Sequence, residues 1–462
     1  MPDQFILSPD QEIAIEQCLD ALKDKGEAIL VGAAGTGKTT VMQTLVEPHS
    51  GNVLFFAPTG KAAVRLAEVV GEAKTIHSAF FGAVKEESSD DDDTDTEGMT
   101  EEEKELFAKA KAKAKAAKPR KVTLVFSEPH PPEGACSSSL IVVDEASMVN
   151  EWLAGVIREQ CAEVGASILW VGDHYQLPPV EGKWGADLEN ADGELSTVHR
   201  QAADAPALGL ATAIREDRVE SFTHWGGDCT MHHVNLARAA HWRFRAGKPH
   251  PKTGEIASDD RVVLTFTNRV RREVNRLVRK FEGYGASPEV GEIMLCTFNA
   301  RSIGLWNGQQ CKLTSVRLCP ELTDFLKSPV YWVELEDRKG EFLIAPRAFE
   351  SPRRDISARV WYREFWAPLW NRDKSWQRCL DLAWSDATLD DWQDKIRSQG
   401  IQMTWGYCLT VHKSQGSQFA EVGFIECPTY RRMQRRDYGF WKRLGYTAIT
   451  RTEAVLRLFV LK

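Results

Sequence analysis

Two clusters in this 462-residue chain have the residue types and spacing to do chemistry on phosphate groups. The first is Gly32-Ala33-Ala34-Gly35-Thr36-Gly37-Lys38-Thr39-Thr40, which fits the pattern G-x-x-x-x-G-K-[ST]. Its glycines let the backbone curl until successive N–H groups point inward at an anion, a conformation that a Cβ obstructs. Lys38 would reach the β- and γ-phosphates, and the Thr39 hydroxyl would hold Mg²⁺. The second cluster is Asp144-Glu145, at the end of the apolar run Leu140-Ile141-Val142-Val143. One acid for a metal ion and one to activate water is the arrangement hydrolysis of a nucleoside triphosphate needs. A helix N-cap would explain only Asp144. Gln176, after the run Ile168 to Val171, is placed to sense a γ-phosphate, and Tyr175 to stack on a base; each alone would also serve as loop filler.

These residues need a frame. Ala28 to Val31 reads as a buried strand and Lys38 as the start of a helix, whose N-terminus favours an anion. Upstream, Ser8-Pro9-Asp10-Gln11 supplies an N-cap, a proline in the first turn and a reciprocal capping residue. Gln11 therefore has two readings, a helix cap or a reader of adenine. Val53 to Ala57 is a second strand, followed by Pro58-Thr59-Gly60-Lys61 and a helix with Ala63, Leu66, Ala67 and Val70 inward; Thr75-Ile76-His77-Ser78 comes next. Repeated strand, polar loop and helix predict an α/β fold with a parallel sheet, its ligand loops gathered at the strand C-terminal ends.

The same grammar returns at Val262 to Asn268, before a helix with Val270, Val274, Leu277 and Val278 inward. It predicts a second parallel sheet. The stretch 82–138 breaks the first sheet as an insertion. It holds an acidic run at 88–98 expected to be disordered, a Lys-rich helix from Thr100, a strand at Val122 to Phe126, and a Pro-rich turn or hairpin tip at Glu128 to Gly134. Residues 288–400 read as a second insertion. Asn307-Gly308 and the strand, turn, strand pattern over Tyr331 to Ala345 predict a small antiparallel β-barrel, followed by a Trp-rich helical segment at 361–392. The expected domains are thus 1–81 with 139–200, and 201–287 with 401–462.

Composition narrows the class. A hydrophobic content of 43% and a charged content of 27% fit a globular protein, and no apolar run approaches the about 20 residues that span a bilayer. A cytoplasmic protein is expected. The ten cysteines form no C-x-x-C pair, so neither disulfides nor a zinc framework is expected, and Cys229, His232 and His233 lack a fourth ligand nearby. The net charge of −8 is concentrated in the acidic run and Glu101 to Glu103, so it does not argue against a nucleic-acid partner. Among the 15 tryptophans, stacking platforms and core packing are both expected.

The ordered series GAAGTGKTT, APTGKAA, TIHS, DEASM, GDHYQLPPV, VHRQ, LTFTN, TVHKSQGSQ and YTAITRT resembles the superfamily 1 helicases, within the branch that contains RecD and the Dda helicases of T4-like phages. The stretch IGLWNGQQCKL resembles the barrel insertion of the Dda type. The resemblance implies two RecA-like domains with ATP and Mg²⁺ between them. It implies nucleotide contacts from Lys38, Thr39, Asp144, Glu145, Gln176 and Gly416, with Arg200 and Arg451 as arginine fingers. It further implies a grip on single-stranded DNA by Pro58, Thr59, Gly60, Lys61, Thr75, His77, Tyr175, Pro178, Thr265, Thr267, Asn268, Thr410, His412, Lys413, Ser414 and Gln415. The implied activity is 5′ to 3′ DNA unwinding by a monomer on single-stranded and forked DNA, beside single-strand-binding, recombination or replication proteins and away from membranes. An RNA-preferring or protein-displacing translocase, or a nucleotide-regulated scaffold, is the alternative.

Overall fold

The computed structural model describes residues 7–81, 85–88, 122–125, 128–198, 206–219, 230–248, 258, 260–297, 300, 303–326, 329–344 and 400–461. Arg200, the acidic and Lys-rich stretches at 89–121, Cys229 and the Trp-rich segment lie outside these residues.

Among the described residues, eight strands belong to the first half: β1 (Glu27–Gly32), β2 (Val53–Ala57), β3 (Lys74–Thr75), β4 (Lys85–Ser88), β5 (Val122–Val125), β6 (Leu140–Val143), β7 (Ser167–Gly172) and β8 (Gly193–Leu195). Six of them form one parallel sheet in the order β3-β2-β6-β7-β1-β8. Along β1 the side chains alternate: Ala28 and Leu30 pack with the helices Pro9–Lys25 and Lys38–Val46, Ile29 and Val31 with the helix Glu151–Val164. Burial on both faces explains why the strand reads as an unbroken apolar run. Because β7 lies between β1 and β6, the phosphate loop, the turn after Gly172 and the paired acids open side by side at the C-terminal edge.

The second half contributes β9 (Thr230–Val234), β10 (Arg261–Thr265), β11 (Ile293–Cys296), β12 (Gln310–Leu318), β13 (Tyr331–Leu335), β14 (Arg338–Ile344), β15 (Met403–Trp405), β16 (Cys408–Thr410), β17 (Phe419–Glu426) and β18 (Thr452–Leu461). A parallel sheet runs β16-β10-β17-β18-β9, and an antiparallel one runs β14-β13-β12-β11-β15. Leu343 bridges Gly400, and the Ile401 N–H donates to the Leu343 carbonyl at 2.9 Å. The antiparallel sheet thereby curls back toward its own edge, as a small barrel does.

One expectation needs correction, and one of two alternatives is settled. β15 pairs with β11, so the second parallel lobe resumes after Trp405 and not at 401. Of the two readings of the Pro-rich stretch, turn or hairpin tip, the turn holds: the Ala135 N–H donates to the Pro132 carbonyl at 3.0 Å, and with β4 and β5 forming an antiparallel ribbon and Phe81 bridging Pro129, the stretch sits at the foot of that ribbon. Proline cannot donate to a ladder, which suits it to that edge position.

One buried ion pair seats the antiparallel sheet on its lobe. Glu292 is wholly buried and accepts from Arg279 Nε at 2.7 Å, from the Tyr407 hydroxyl at 3.2 Å and from the Glu289 N–H at 2.9 Å. The Arg279 guanidinium lies 4.2 Å from the Trp405 ring centroid. Removing one partner of such a pair strands the other charge, so Arg279→Leu is expected to destabilise the protein by about 3 to 5 kcal/mol. Thermal melting checks this; an unchanged melt would show the pair to be dispensable.

Candidate functional site: a nucleotide cleft between two lobes

The phosphate loop takes the shape its glycines permit. Gly35 and Gly37 have φ of 84° and 82°. A Cβ on Gly32 would stand 2.5 Å from Thr36 Oγ1, and one on Gly37 would stand 2.5 Å from Gln11 Nε2. Thr36 is wholly buried and donates to the Ala33 carbonyl at 2.9 Å, stapling the curl. Lys38 Nζ donates to the carbonyls of Gly32 and Ala33 at 2.8 and 2.9 Å, so its ammonium is held over the loop. The cap reading of Gln11 holds, and the same side chain also braces the phosphate loop. Its Oε1 accepts from the Ser8 N–H at 3.1 Å, closing the cap, while Nε2 donates to the Thr36 carbonyl at 3.1 Å and braces the loop.

A cleft of about 680 Å³ opens above the loop. Its first-lobe wall includes Gln11, Ala34, Gly35, Gly37, Lys38, Thr39, Thr40, Asp144, Glu145 and Gln176, and its second-lobe wall Gly416, Gln418, Thr450 and Arg451. Gly32, Ala33 and Thr36 shape the loop without lining the cleft. Glu145 adopts φ 51° and ψ 41°, a left-handed conformation that is strained for a residue with a Cβ and is found where function holds it. Its N–H donates to Asp144 Oδ1 at 2.8 Å. Burial, and next the charge of Glu145, push the Asp144 carboxyl up to about 6. Thr39 and Asp144 both line the cleft and offer oxygen donors of the kind Mg²⁺ takes.

Arg451 comes from the second parallel lobe and is 3% exposed. Its Nε donates to the Thr447 carbonyl at 3.2 Å, and its terminal nitrogens reach the Ser417 carbonyl and Thr450 Oγ1 at 3.4 Å each. Burial lowers its pKa; the attraction of Glu145 opposes that. Gly416 has φ 71°, and a Cβ there would lie 3.2 Å from the Ala62 Cβ, so the two lobes touch at this point.

The residues expected to grip nucleic acid divide. Thr59, Thr75 and Thr267 cap helices through their hydroxyls. His77 stacks on Phe81, and Asn268 accepts from Arg271. Thr410 is 7% exposed and precedes the short helix Val411–Ser414. On that helix, His412 stacks on Phe440 and Lys413 Nζ donates to Asn307 Oδ1 at 2.6 Å. Thr265 and Ser414 are wholly buried, and Gln415, 7% exposed, donates across to the Leu177 carbonyl at 3.4 Å, so these three belong to the packing and not to a surface grip. Lys61 also departs from expectation. Its ammonium lies 5.3 Å from the Phe419 ring, on the second lobe, where burial lowers its pKa to about 8. Tyr175 packs against His174, Tyr446 and the Arg215 guanidinium and is no free platform for a base; Pro178 beside it is half-buried.

Two contacts were not read from the sequence. A Cβ on Gly60 would meet the Trp306 ring at 2.1 Å, so the loop before β12 lies flat on the first lobe. The Tyr446 hydroxyl accepts from the Ala34 N–H at 2.9 Å and donates to Asp173 Oδ2 at 2.8 Å. The wholly buried Asp173 after the apolar β7 was the available signal, since a buried acid needs partners.

A phosphate loop and paired acids on one parallel sheet, facing an arginine from a second, define a P-loop nucleotide-binding fold of two RecA-like lobes. Residues 6–233 match the family model of an AAA domain, and residues 406–459 that of a UvrD-like helicase C-terminal domain. Over 201 residues the chain is 31% identical to the ATP-dependent RecD2 DNA helicase of Deinococcus radiodurans, a match that covers 42% of this chain and 22% of that protein. The chain thus spans well under half the length of this curated relative. Among solved structures, Pif1 helicase from Bacteroides in complex with ADP-AlF3 and ssDNA aligns over 98% of this chain and 92% of its own at 16% identity, with a TM-score of 0.47. Pif1 helicase from Candida albicans aligns over 99% and 94% at 17% identity, with a TM-score of 0.46.

Gly37→Ala tests the loop. Its positive φ and the Gln11 amide both oppose a methyl group, a strain of about 1 to 3 kcal/mol. ATP affinity is expected to fall about tenfold in a fluorescent-nucleotide titration; unchanged affinity would show that the loop tolerates the methyl group.

Proposed function

We propose that this chain is an ATP-dependent DNA helicase of the superfamily 1 RecD and Pif1 type, moving 5′ to 3′ on single-stranded DNA and opening duplex ahead of it. One observation carries the reading. The Arg451 guanidinium is buried in the cleft with no ion pair to a carboxylate among the described residues, opposite the phosphate loop. A buried charge without an ion partner is costly, and a triphosphate is the anion that would satisfy it.

The remaining groups then have tasks. Lys38 neutralises the β- and γ-phosphates, and backbone N–H groups of the loop other than that of Ala34 would hold them. Thr39 and Asp144 would hold Mg²⁺, which supplies charge neutralisation when bound. Glu145 polarises the attacking water. Gln176 lines the cleft, and its buried Oε1 has no hydrogen-bond partner among the described residues, so it can accept from that water. Arg451 meets the charge that develops on the γ-phosphate, and the motif resemblance assigns a second such arginine to Arg200. Closure of the lobes over ATP and their release after hydrolysis move the grip along the strand. Thr59, Thr75, Thr267, Asn268, His412 and Lys413, at helix starts and on the short helix Val411–Ser414, carry that grip, and hydroxyl and amide contacts to phosphates position the strand without reading its sequence. The ribbon of β4 and β5 supplies the strand-separating element, and the curled antiparallel sheet holds DNA against it. The protein works as a monomer on single-stranded and forked DNA, in the cytoplasm.

Single-stranded DNA is expected to raise ATP turnover by orders of magnitude, with Lys38→Ala and Glu145→Gln each removing it; the closing arginine alone is worth on the order of 10³ or more. Equal turnover with and without DNA would refute the motor reading. A forked duplex with one tail is expected to open only when the tail is 5′; opening only from a 3′ tail would reverse the direction.

A further inference from the structure

We propose that Tyr446 is a positioning residue of the hydrolytic site, its hydroxyl bridging the Ala34 N–H and the Asp173 carboxylate and so setting the register in which Arg451 meets the γ-phosphate. The inference rests on the ATP-hydrolysing reading above and adds to it a residue that touches neither the nucleotide nor the DNA.

Three parts of the site meet at that hydroxyl. Ala34 belongs to the phosphate loop and lines the cleft. Asp173 follows the C-terminal end of β7 and builds the turn that carries Gln176: its Oδ1 accepts from the Tyr175 N–H at 3.0 Å and its carbonyl from the Gln176 N–H at 3.1 Å. Tyr446 itself stands on the helix Tyr438–Ile449 of the second lobe. From the same helical turn, Thr450 Oγ1 donates to the Tyr446 carbonyl at 2.9 Å and Arg451 Nε to the Thr447 carbonyl at 3.2 Å. Thr447 Oγ1 in turn accepts from the Leu177 N–H at 3.0 Å, one residue beyond Gln176. A shift of this helix along the seam would therefore move Arg451 relative to the phosphate loop and break two hydrogen bonds at one oxygen.

The hydroxyl sits in a buried seam. Tyr446 is 2% exposed and Asp173 is wholly buried. Burial, with the Asp173 charge behind it, holds the phenol pKa well above its ordinary value, so the group stays a donor at working pH. A hydroxyl donating to a carboxylate oxygen in a buried site is a hydrogen bond costly to lose, and a phenyl ring of the same shape would leave both the N–H and the carboxylate without that partner.

A merely structural hydroxyl would lower stability and leave the chemistry alone, so the test separates the two. Steady-state ATP turnover is measured with saturating single-stranded DNA for the full chain, Tyr446→Phe, Arg451→Ala and the double variant, with thermal melts confirming that each folds. Tyr446→Phe is expected to lower kcat about tenfold or more and to leave the KM for ATP within about twofold. In the Arg451→Ala background the same substitution is expected to change kcat by less than about twofold, because its effect acts through the arginine. Where turnover is too slow to measure, the tightening of binding from ADP to ADP with aluminium fluoride gives the same comparison: both single variants lose it, and the double variant loses no more. Unchanged kcat in Tyr446→Phe, or losses that multiply in the double variant, would overturn the proposal. Absence of DNA-stimulated turnover in the unsubstituted chain would instead overturn the hydrolytic reading on which it rests.

Discussion

Among the described residues, two carbonyls and a hydroxyl hold the buried guanidinium of Arg451, and the rest of the site is arranged around that charge. Neutral acceptors orient a cation but do not neutralise it, so its burial is tolerable only where an anion can arrive. The acids nearest the cleft do not fill that need. Glu145 attracts the guanidinium without an ion pair to it, and its own backbone is held in a left-handed conformation. The pocket is thus left electrostatically incomplete on its second-lobe side, with a phosphate loop facing it on the first.

The sheet order makes such a pocket possible. In the first lobe, β7 separates the strand of the phosphate loop from the strand of the paired acids, which spaces the two clusters by one strand and places the turn of Asp173 and Gln176 between them. Parallel strands deliver all three at the same edge, outside their C-terminal ends, where α/β sheets bind ligands. In the second lobe, β18 begins directly after Arg451, and the helix that precedes it runs along the seam. Leu177 of the first lobe is wholly buried in the apolar core of the second. The lobes therefore share packing as well as charge, and the seam transmits position from one to the other.

What could be read from the sequence was whatever chemistry is local. The phosphate loop, the paired acids and Gln176 each declare themselves through residue type beside an apolar strand, and all of them line the cleft except the three that shape the loop from beneath. What could not be read depends on partners far along the chain. Thr265 looks like a polar loop residue, yet it closes a strand and is wholly buried. Lys61 looks like a phosphate contact, yet Phe419 draws it to the other lobe. Gly60 is among the residues expected to grip DNA, and only the position of Trp306 shows that any side chain there would collide with an indole. The start of the last parallel segment was misplaced for the same reason: β15 is short and apolar, and only its pairing with β11 reveals which sheet it joins.

The central claim, that a buried cation from the second lobe completes a site begun by the first, is tested most directly by Arg451→Ala with binding and hydrolysis measured separately. Affinity for ATP, read by a fluorescent analogue, is expected to change by less than about tenfold while DNA-stimulated turnover falls by about 10³ or more. Turnover within a few-fold of the unsubstituted chain would contradict it.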